Sequence, residues 1–317
     1  MGGVKDRVAL VTGAGRGIGK ATATTLAERG ARVMAVARSE AELETLGMDY
    51  VVADLGTAVG CSLAVEETER RLGGIEVFVC NHGIGSALER VVWEQDPDLW
   101  DETIAINLSG PFHLSRIAVR GMVERGFGRV VYTSSVSGLV AEPTGSAYNS
   151  SKHGLLGLMR SVAIDGGAFG ITANAVLPGW VRTEMAERSA RAEATARGIT
   201  TEQVWQERAA LYPPGRVATT EEVAAVIDRL QQRYPIGVEF TLIADQPGRV
   251  QRKVQEFVGN LGQAIAIVLV VMLISLGLRT GLVVAPLIPV AILAWIALGL
   301  VAIALPIVGA VKASDGI

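Results

Sequence analysis

Thr12-Gly13-Ala14-Gly15-Arg16-Gly17-Ile18-Gly19 stands between a β-rich run, Arg7–Val11, and an amphipathic run, Gly19–Arg29. This strand–turn–helix setting decides the reading of the N-terminal part. Gly13 and Gly17 permit positive φ and close approach of a ligand to the backbone, and Gly19 lets the helix pack tightly on the strand. The first N–H groups of a helix are unpaired and lie at the positive end of its dipole, so the turn is equipped to hold phosphate oxygens. The spacing is Gly-x-x-x-Gly-x-Gly, which as a bare string is equally an ordinary turn. Its flanking elements favour binding of a dinucleotide pyrophosphate.

Outward from this turn, short apolar runs alternate with helical patterns up to about residue 230. Arg7–Val11, Arg32–Ala37, Tyr50–Ala53, Ile75–Cys80, Arg129–Thr133 and Thr172–Leu177 read as strands. Gly19–Arg29, Ser62–Leu72, Asp98–Arg125, Ser146–Ala168 and Thr220–Gln231 read as helices. Such alternation predicts an α/β fold with a parallel sheet covered on both faces. Right-handed crossovers then give a doubly wound parallel Rossmann sheet, with its ligand crevice at the carboxyl ends of the strands.

Composition narrows the function classes. The chain has 317 residues, is 50% hydrophobic and carries a formal net charge of −3. Its mean hydropathy is +0.37 and its pI about 5.8, so no basic face for nucleic acid is expected. Cys61 and Cys80 lie far apart in apolar surroundings and read as buried thiols rather than a disulfide. No metal-ligand cluster is apparent; His113 and His153 read as helix residues without chemistry. The start lacks the apolar core of a signal peptide, which places the dinucleotide domain in the cytoplasm.

A second chemical pattern is Tyr148-Asn149-Ser150-Ser151-Lys152. A free phenol has a pKa of about 10 and exchanges protons poorly at neutral pH. A lysine four residues on shares its helix face, and its charge favours the phenolate. The same ammonium is in reach of a nicotinamide ribose. Ser135 closes a strand, where its hydroxyl can orient a substrate oxygen. At the end of the second strand, Val36-Ala37-Arg38-Ser39 offers no carboxylate for a ribose 2′-hydroxyl. Arg38, with Arg16, is suited to a 2′-phosphate, so NADP(H) is favoured over NAD(H). The alternative is that both arginines are solvated surface charges.

With these residues in hand, residues 4–228 resemble the short-chain dehydrogenase/reductase family. The resemblance rests on Thr12–Gly19, Asp54-Leu55, Asn81-His82-Gly83, Asn107, Ser135, Tyr148, Lys152 and Pro178-Gly179, in family order. It implies catalytic roles for four residues: Tyr148 as acid/base, Lys152 lowering its pKa and holding the ribose, Ser135 positioning substrate, and Asn107 maintaining a proton relay. It also implies that Gly13, Arg16, Gly17, Ile18, Gly19, Arg38, Asp54, Leu55, Asn81 and Gly83 bind cofactor, together with Pro178, Gly179, Val181 and Thr183. The substrate would be a small carbonyl or alcohol. The chain departs from the family at His82, where alanine is usual, and at Asp165-Gly166-Gly167, which weakens a helix often used in assembly. A homo-oligomer remains open.

The end of the chain reads differently. Leu261–Leu278 carries no charge and holds eleven Leu, Ile and Val. Gly281–Val311 is also uncharged and longer than the ~20 residues that cross a bilayer. Together they predict a transmembrane helical hairpin over 261–317. Gly237-Val238-Glu239-Phe240, Asp245-Gln246-Pro247, Phe257–Leu261 and Leu276–Thr280 resemble part of a resistance-nodulation-division (RND) efflux permease, so the chain resembles a fusion. Arg249, Arg252, Lys253 and Lys312 favour both hairpin ends inside, anchoring a cytoplasmic domain in the inner membrane with Arg279 outside. Residues 231–260 then form a linker, in which Val238–Ile243 has the character of a replacement seventh strand.

Residues Thr183–Pro214 read as a helical excursion that covers a substrate pocket, with Trp180, Met185, Trp205, Leu211 and Tyr212 as candidate lining. The stretch is similar to the lids of 3-ketoacyl thioester reductases and 3-hydroxybutyrate dehydrogenases, which implies a 3-oxoacyl reductase-like activity. A dinucleotide-binding scaffold without turnover and an RND-like transport component are the competing classes. The second would need partner helices that the chain does not supply.

Overall fold

The computed structural model describes residues 3–85 and 90–233 and the single residue Gln263. Among the described residues six parallel strands form one sheet: β1 (Val8–Thr12), β2 (Arg32–Ala37), β3 (Asp49–Val52), β4 (Val77–Cys80), β5 (Gly128–Thr133) and β6 (Ile171–Val176). Their order is β3-β2-β1-β4-β5-β6. Every expected strand is present, displaced at most by one or two residues at an end. Thr12 pairs with Val36, Cys80 with Tyr132 and Thr133 with Val176, so the carboxyl ends line up. The order reverses between β1 and β4, which opens a crevice at that edge.

Both sheet faces are buried, as a parallel sheet requires. On one face Leu10, Met34, Phe78, Val130 and Tyr132 pack against α3 (Ala58–Leu72), α5 (Gly110–Arg125) and α6 (Ser146–Gly167). On the other, Ala9, Val11, Ala35, Val77 and Val131 meet α1 (Gly17–Glu28) and α9 (Thr220–Arg233). Each such apolar side chain contributes roughly 1.5–3 kcal/mol by leaving water. From α9, Val223, Ala224, Ile227 and Leu230 are buried, and Asp228 pairs with Arg29 at 3.3 Å.

The single helix expected over Asp98–Arg125 is interrupted. α4 (Pro97–Ile104) runs into a π turn, Ala105–Ser109, before α5 starts. The cause lies in the sequence: Pro111 has no N–H for the Asn107 carbonyl, and Gly110 N–H bonds instead to the Ala105 carbonyl. A short helix that the pattern missed, α2 (Glu40–Glu44), follows β2 and is capped by the Ser39 hydroxyl. α6 runs through Asp165 and Gly166 and ends at Gly167, one residue short of the expected Ala168. Gly166 is buried, and a Cβ there would lie 3.0 Å from the Ile171 Cβ, so the glycine permits close packing on β6.

The helical excursion is present as α7 (Glu184–Arg197) and α8 (Thr201–Ala210). Thr183 caps α7, and Thr200 with Gln203 forms a capping box on α8. Among the described residues no helix is long and apolar enough to cross a membrane. The expected hairpin over 261–317 and the replacement strand 238–243 lie outside the described residues.

Candidate cofactor and catalytic site

The glycine turn has the conformation that its sequence demands. Gly13 has φ +65° and Gly17 φ +57°, the left-handed region that favours glycine. A methyl on Gly19 would run into the Gly13 carbonyl oxygen, which is how closely helix and strand approach. Asn81, just past β4, braces the turn: its N–H donates to Thr12 Oγ1 at 3.0 Å and its Nδ2 to the Gly13 carbonyl at 3.4 Å. Ile18 packs half-buried on the β1 face of the core. The start of α1 has no side-chain cap and no acid in its first turn, leaving its N–H groups and positive dipole end for an anion. The residues present therefore fit a dinucleotide pyrophosphate.

The arginines depart from expectation. Arg38 is exposed and has no ion-pair partner among the described residues. Arg16 is not free: its Nη1 lies 2.5 Å from Glu184 Oε2 at the start of α7 and 3.4 Å from Glu42 Oε1 on α2. Glu42 reaches back so far that a Cβ on Gly15 would meet its carboxylate and, at 3.3 Å, the Ala37 methyl. A carboxylate thus stands beside the end of β2 although none occurs in the strand-end sequence. Its distance beyond the glycine turn, near twenty residues, was the available signal.

Asp54 and Leu55 follow β3. Asp54 is exposed and accepts from Gly56 N–H at 3.0 Å; the Leu55 side chain is buried in the core. Pro178 and Gly179 follow β6, and the Pro178 carbonyl accepts from Val136 N–H at 3.1 Å. Val181 is buried and bridges Ala218. The Thr183 methyl would lie 3.4 Å from a Cβ on Gly17, so the start of α7 faces the glycine turn.

The catalytic candidates converge at the ends of β4 and β5. Lys152 is buried on α6, and its Nζ donates to the Thr133 carbonyl at 3.0 Å and lies 5.6 Å from the Tyr148 ring centroid. Burial lowers its pKa from the ordinary amine range to about 8. A Cβ on Gly83 would lie 3.3 Å from Lys152 Nζ and 3.1 Å from Asn107 Oδ1, so this glycine is the floor shared by both groups. Asn107, on the π turn, clasps Ile84 with Oδ1 accepting its N–H at 2.7 Å and Nδ2 donating to its carbonyl at 2.8 Å. Its Nδ2 also reaches Ser151 Oγ at 3.2 Å. Ser135 Oγ accepts from Ser137 N–H at 3.1 Å.

His82 turns away from this group. Its Nδ1 lies 2.9 Å from Thr12 Oγ1, and a Cβ on Gly110 would sit 3.1 Å from Nε2. Burial, then the Lys152 charge, lowers its pKa to about 3, so it stays neutral and fills space beneath the crevice. Cys61 and Cys80 are free and buried, and burial pushes both thiols up to about 12. Of the expected pocket residues, Met185 meets the site: a Cβ on Gly85 would lie 3.6 Å from its Sδ and 3.7 Å from the Tyr148 ring. Trp205 does not. It is buried in the core of the α7–α8 unit, where Arg208 stacks on Trp180 at 3.6 Å and on Trp205 at 5.1 Å.

Fold, glycine turn and the Tyr148–Lys152 pair define a Rossmann-type oxidoreductase architecture. The sequence profile of the short chain dehydrogenase family matches residues 7–194. The chain belongs to that family and is an NAD(P)-dependent short-chain dehydrogenase/reductase. It is 34% identical over 233 residues to a D-beta-hydroxybutyrate dehydrogenase of Cupriavidus necator, covering 70% of this chain and 90% of that protein. Among solved structures it resembles an actinorhodin polyketide ketoreductase variant with NADPH, with TM-score 0.70 and 29% identity over 75% of this chain and 96% of the other. It also resembles an NAD+-bound xylitol dehydrogenase, with TM-score 0.70 and 27% identity over 76% and 99%. A profile of the AcrB/AcrD/AcrF family matches residues 212–307. That match begins before α9, which packs on the dinucleotide domain.

Proposed function

We propose that the chain interconverts a ketone and a secondary alcohol at the carboxyl ends of β4, β5 and β6. The observation that carries this reading is the buried Lys152 ammonium beside Tyr148, over the Gly83 floor and next to a glycine turn open to phosphate. Gly13, Gly17, Ile18, Gly19 and Asn81 would form the pyrophosphate end, with Asp54 and Leu55 beside the adenine. Pro178, Gly179, Val181 and Thr183 would hold the nicotinamide end. A nicotinamide held there would supply or accept the hydride.

The remaining chemistry belongs to side chains of this chain. Tyr148 delivers a proton from Oη to the carbonyl oxygen in reduction and takes it back in oxidation. Lys152, held by the Thr133 carbonyl, biases the phenol toward losing that proton. Ser135 orients the substrate oxygen, and Asn107 fixes the Ile84 segment that walls the site. NADP(H) is favoured over NAD(H) because Arg38 is exposed and free to meet a 2′-phosphate. The substrate is a 3-oxoacyl thioester or a similar small ketone. The relative's action on hydroxybutyrate and the apolar Met185 at the site both support this.

The chain is divided in this reading into a dinucleotide domain over 1–230, a linker over 231–260 and a membrane hairpin over 261–317. The uncharged runs and the AcrB-family match support the hairpin, which would anchor the domain on the cytoplasmic side. Protease protection in vesicles tests it; a freely soluble full chain sinks the anchor.

The enzymatic reading is tested by NADPH and NADH oxidation with 3-oxoacyl thioesters and simple ketones. Tyr148→Phe is expected to bind dinucleotide and to lose turnover. Turnover by that variant at the parent rate overturns the assignment.

A further inference from the structure

We propose that Tyr212 is the positioning residue that sets the nicotinamide end of the cofactor site, acting through the Pro178–Gly179–Trp180 turn. This rests on the dinucleotide reading above and adds a residue to it. Tyr212 follows α8, 8% exposed, with its backbone held by bonds to Ala209 and from Gly215. Its Oη accepts the Trp180 N–H at 2.7 Å. The same oxygen covers Gly179, so that a methyl at that position would collide with it. Gly179 is therefore a glycine partly because of Tyr212.

The turn is pinned from both sides. The Pro178 carbonyl accepts from Val136 N–H at 3.1 Å, next to Ser135, and the Trp180 carbonyl accepts from Ala218 N–H at 3.3 Å. The tie at the Trp180 N–H is made by a side chain. It fixes the peptide plane between Gly179 and Trp180, in the turn that follows β6. The Trp180 ring stacks on Arg208, which donates to the Ala186 carbonyl at 3.2 Å and pairs with Glu193 at 2.9 Å. Tyr212 thus joins the α7–α8 unit to the turn that carries the nicotinamide end. Removing the hydroxyl leaves the Trp180 N–H without its acceptor and frees that peptide to rotate.

The test compares two probes on the purified full chain: whole dinucleotide (NADPH and NADH), and ADP-ribose with its 2′-phosphate, which lacks nicotinamide. Tyr212→Phe is expected to weaken whole-dinucleotide binding by about tenfold, the scale of one lost hydrogen bond. ADP-ribose binding is expected to stay at the parent value. Equal loss with both probes, or no loss with either, overturns the proposal. If the parent chain binds neither probe, the cofactor reading itself fails and takes this inference with it. Should Tyr212→Phe lose its cooperative melting, Gly179→Ala tests the same contact. It is expected to show the same selective loss, and unchanged dinucleotide affinity in that variant overturns the proposal.

Discussion

The Lys152 ammonium donates to the Thr133 carbonyl from inside the fold, at 3.0 Å. Its pKa is lowered by burial to about 8, below that of the unfolded amine. Between about 8 and about 10.5 the unfolded chain therefore binds more protons at this residue than the folded one, and stability rises with pH through that window. Below pH 8 the penalty is fully present, on the order of 3 kcal/mol at most. Lys152→Met in the cofactor-free chain is expected to raise Tm at pH 7, with the gain shrinking by pH 10. Calorimetry at the two pH values checks this.

The same titration limits activity. Above pH 8 the free enzyme loses the charge that biases Tyr148, so kcat/KM for ketone reduction is expected to fall there. His82, with its pKa near 3, contributes no limb between pH 5 and 9. A profile of His82→Ala that loses a limb in this range contradicts the assignment.

Glu42 opposes the proposed preference for a 2′-phosphate, because its carboxylate stands by Gly15 and Ala37 and engages Arg16. Glu42→Gln removes a negative charge and the longer of the two ion pairs of Arg16, leaving the one with Glu184. The ratio of NADPH to NADH affinity is expected to rise by about five- to tenfold, the scale of one charge contact near the surface. Fluorescence titration with both cofactors measures it, and an unchanged ratio means that Glu42 does not face the adenosine ribose.

Two glycines should respond in opposite directions. A methyl on Gly19 meets the Gly13 carbonyl, backbone that cannot yield cheaply. Gly19→Ala is expected to abolish dinucleotide binding and cost about 2–3 kcal/mol of stability. Gly157 lies in α6 with nothing within 4 Å of its would-be Cβ. Gly157→Ala is expected to stabilise by about 0.5–1 kcal/mol, read by denaturant melts of both variants.

Asn107→Ala removes both hydrogen bonds to Ile84 and leaves its N–H and carbonyl without that partner. A loss of about 1–3 kcal/mol is expected, with kcat falling more than dinucleotide affinity. Matched melting and steady-state measurements check the split.

The strands were legible because buried parallel strands read as unbroken apolar runs; Arg32–Ala37 is found with its expected bounds. The glycine turn was legible because positive φ and close packing leave few residue choices. The π turn was passed over, although Pro111 within an apparent helix was its signal. The engagement of Arg16 was not legible at all. Glu184 lies 168 positions away in sequence, and nothing local marks the pairing. Met185 and Trp205 looked alike as pocket candidates; only the packing of α7 on α8 separates the one at the site from the one inside the stack.

α9 carries a consequence for anyone who wishes to separate the two halves of this chain. Residues 212–307 match the AcrB/AcrD/AcrF family, and a cut at that family boundary would be the natural first choice. It would strip away Val223, Ala224, Ile227 and Leu230 and open the Leu26 side of the sheet to water. The family match changes at one place and the ownership of the core at another. A trimmed enzyme keeps its outer wall only if the scissors fall beyond Leu230.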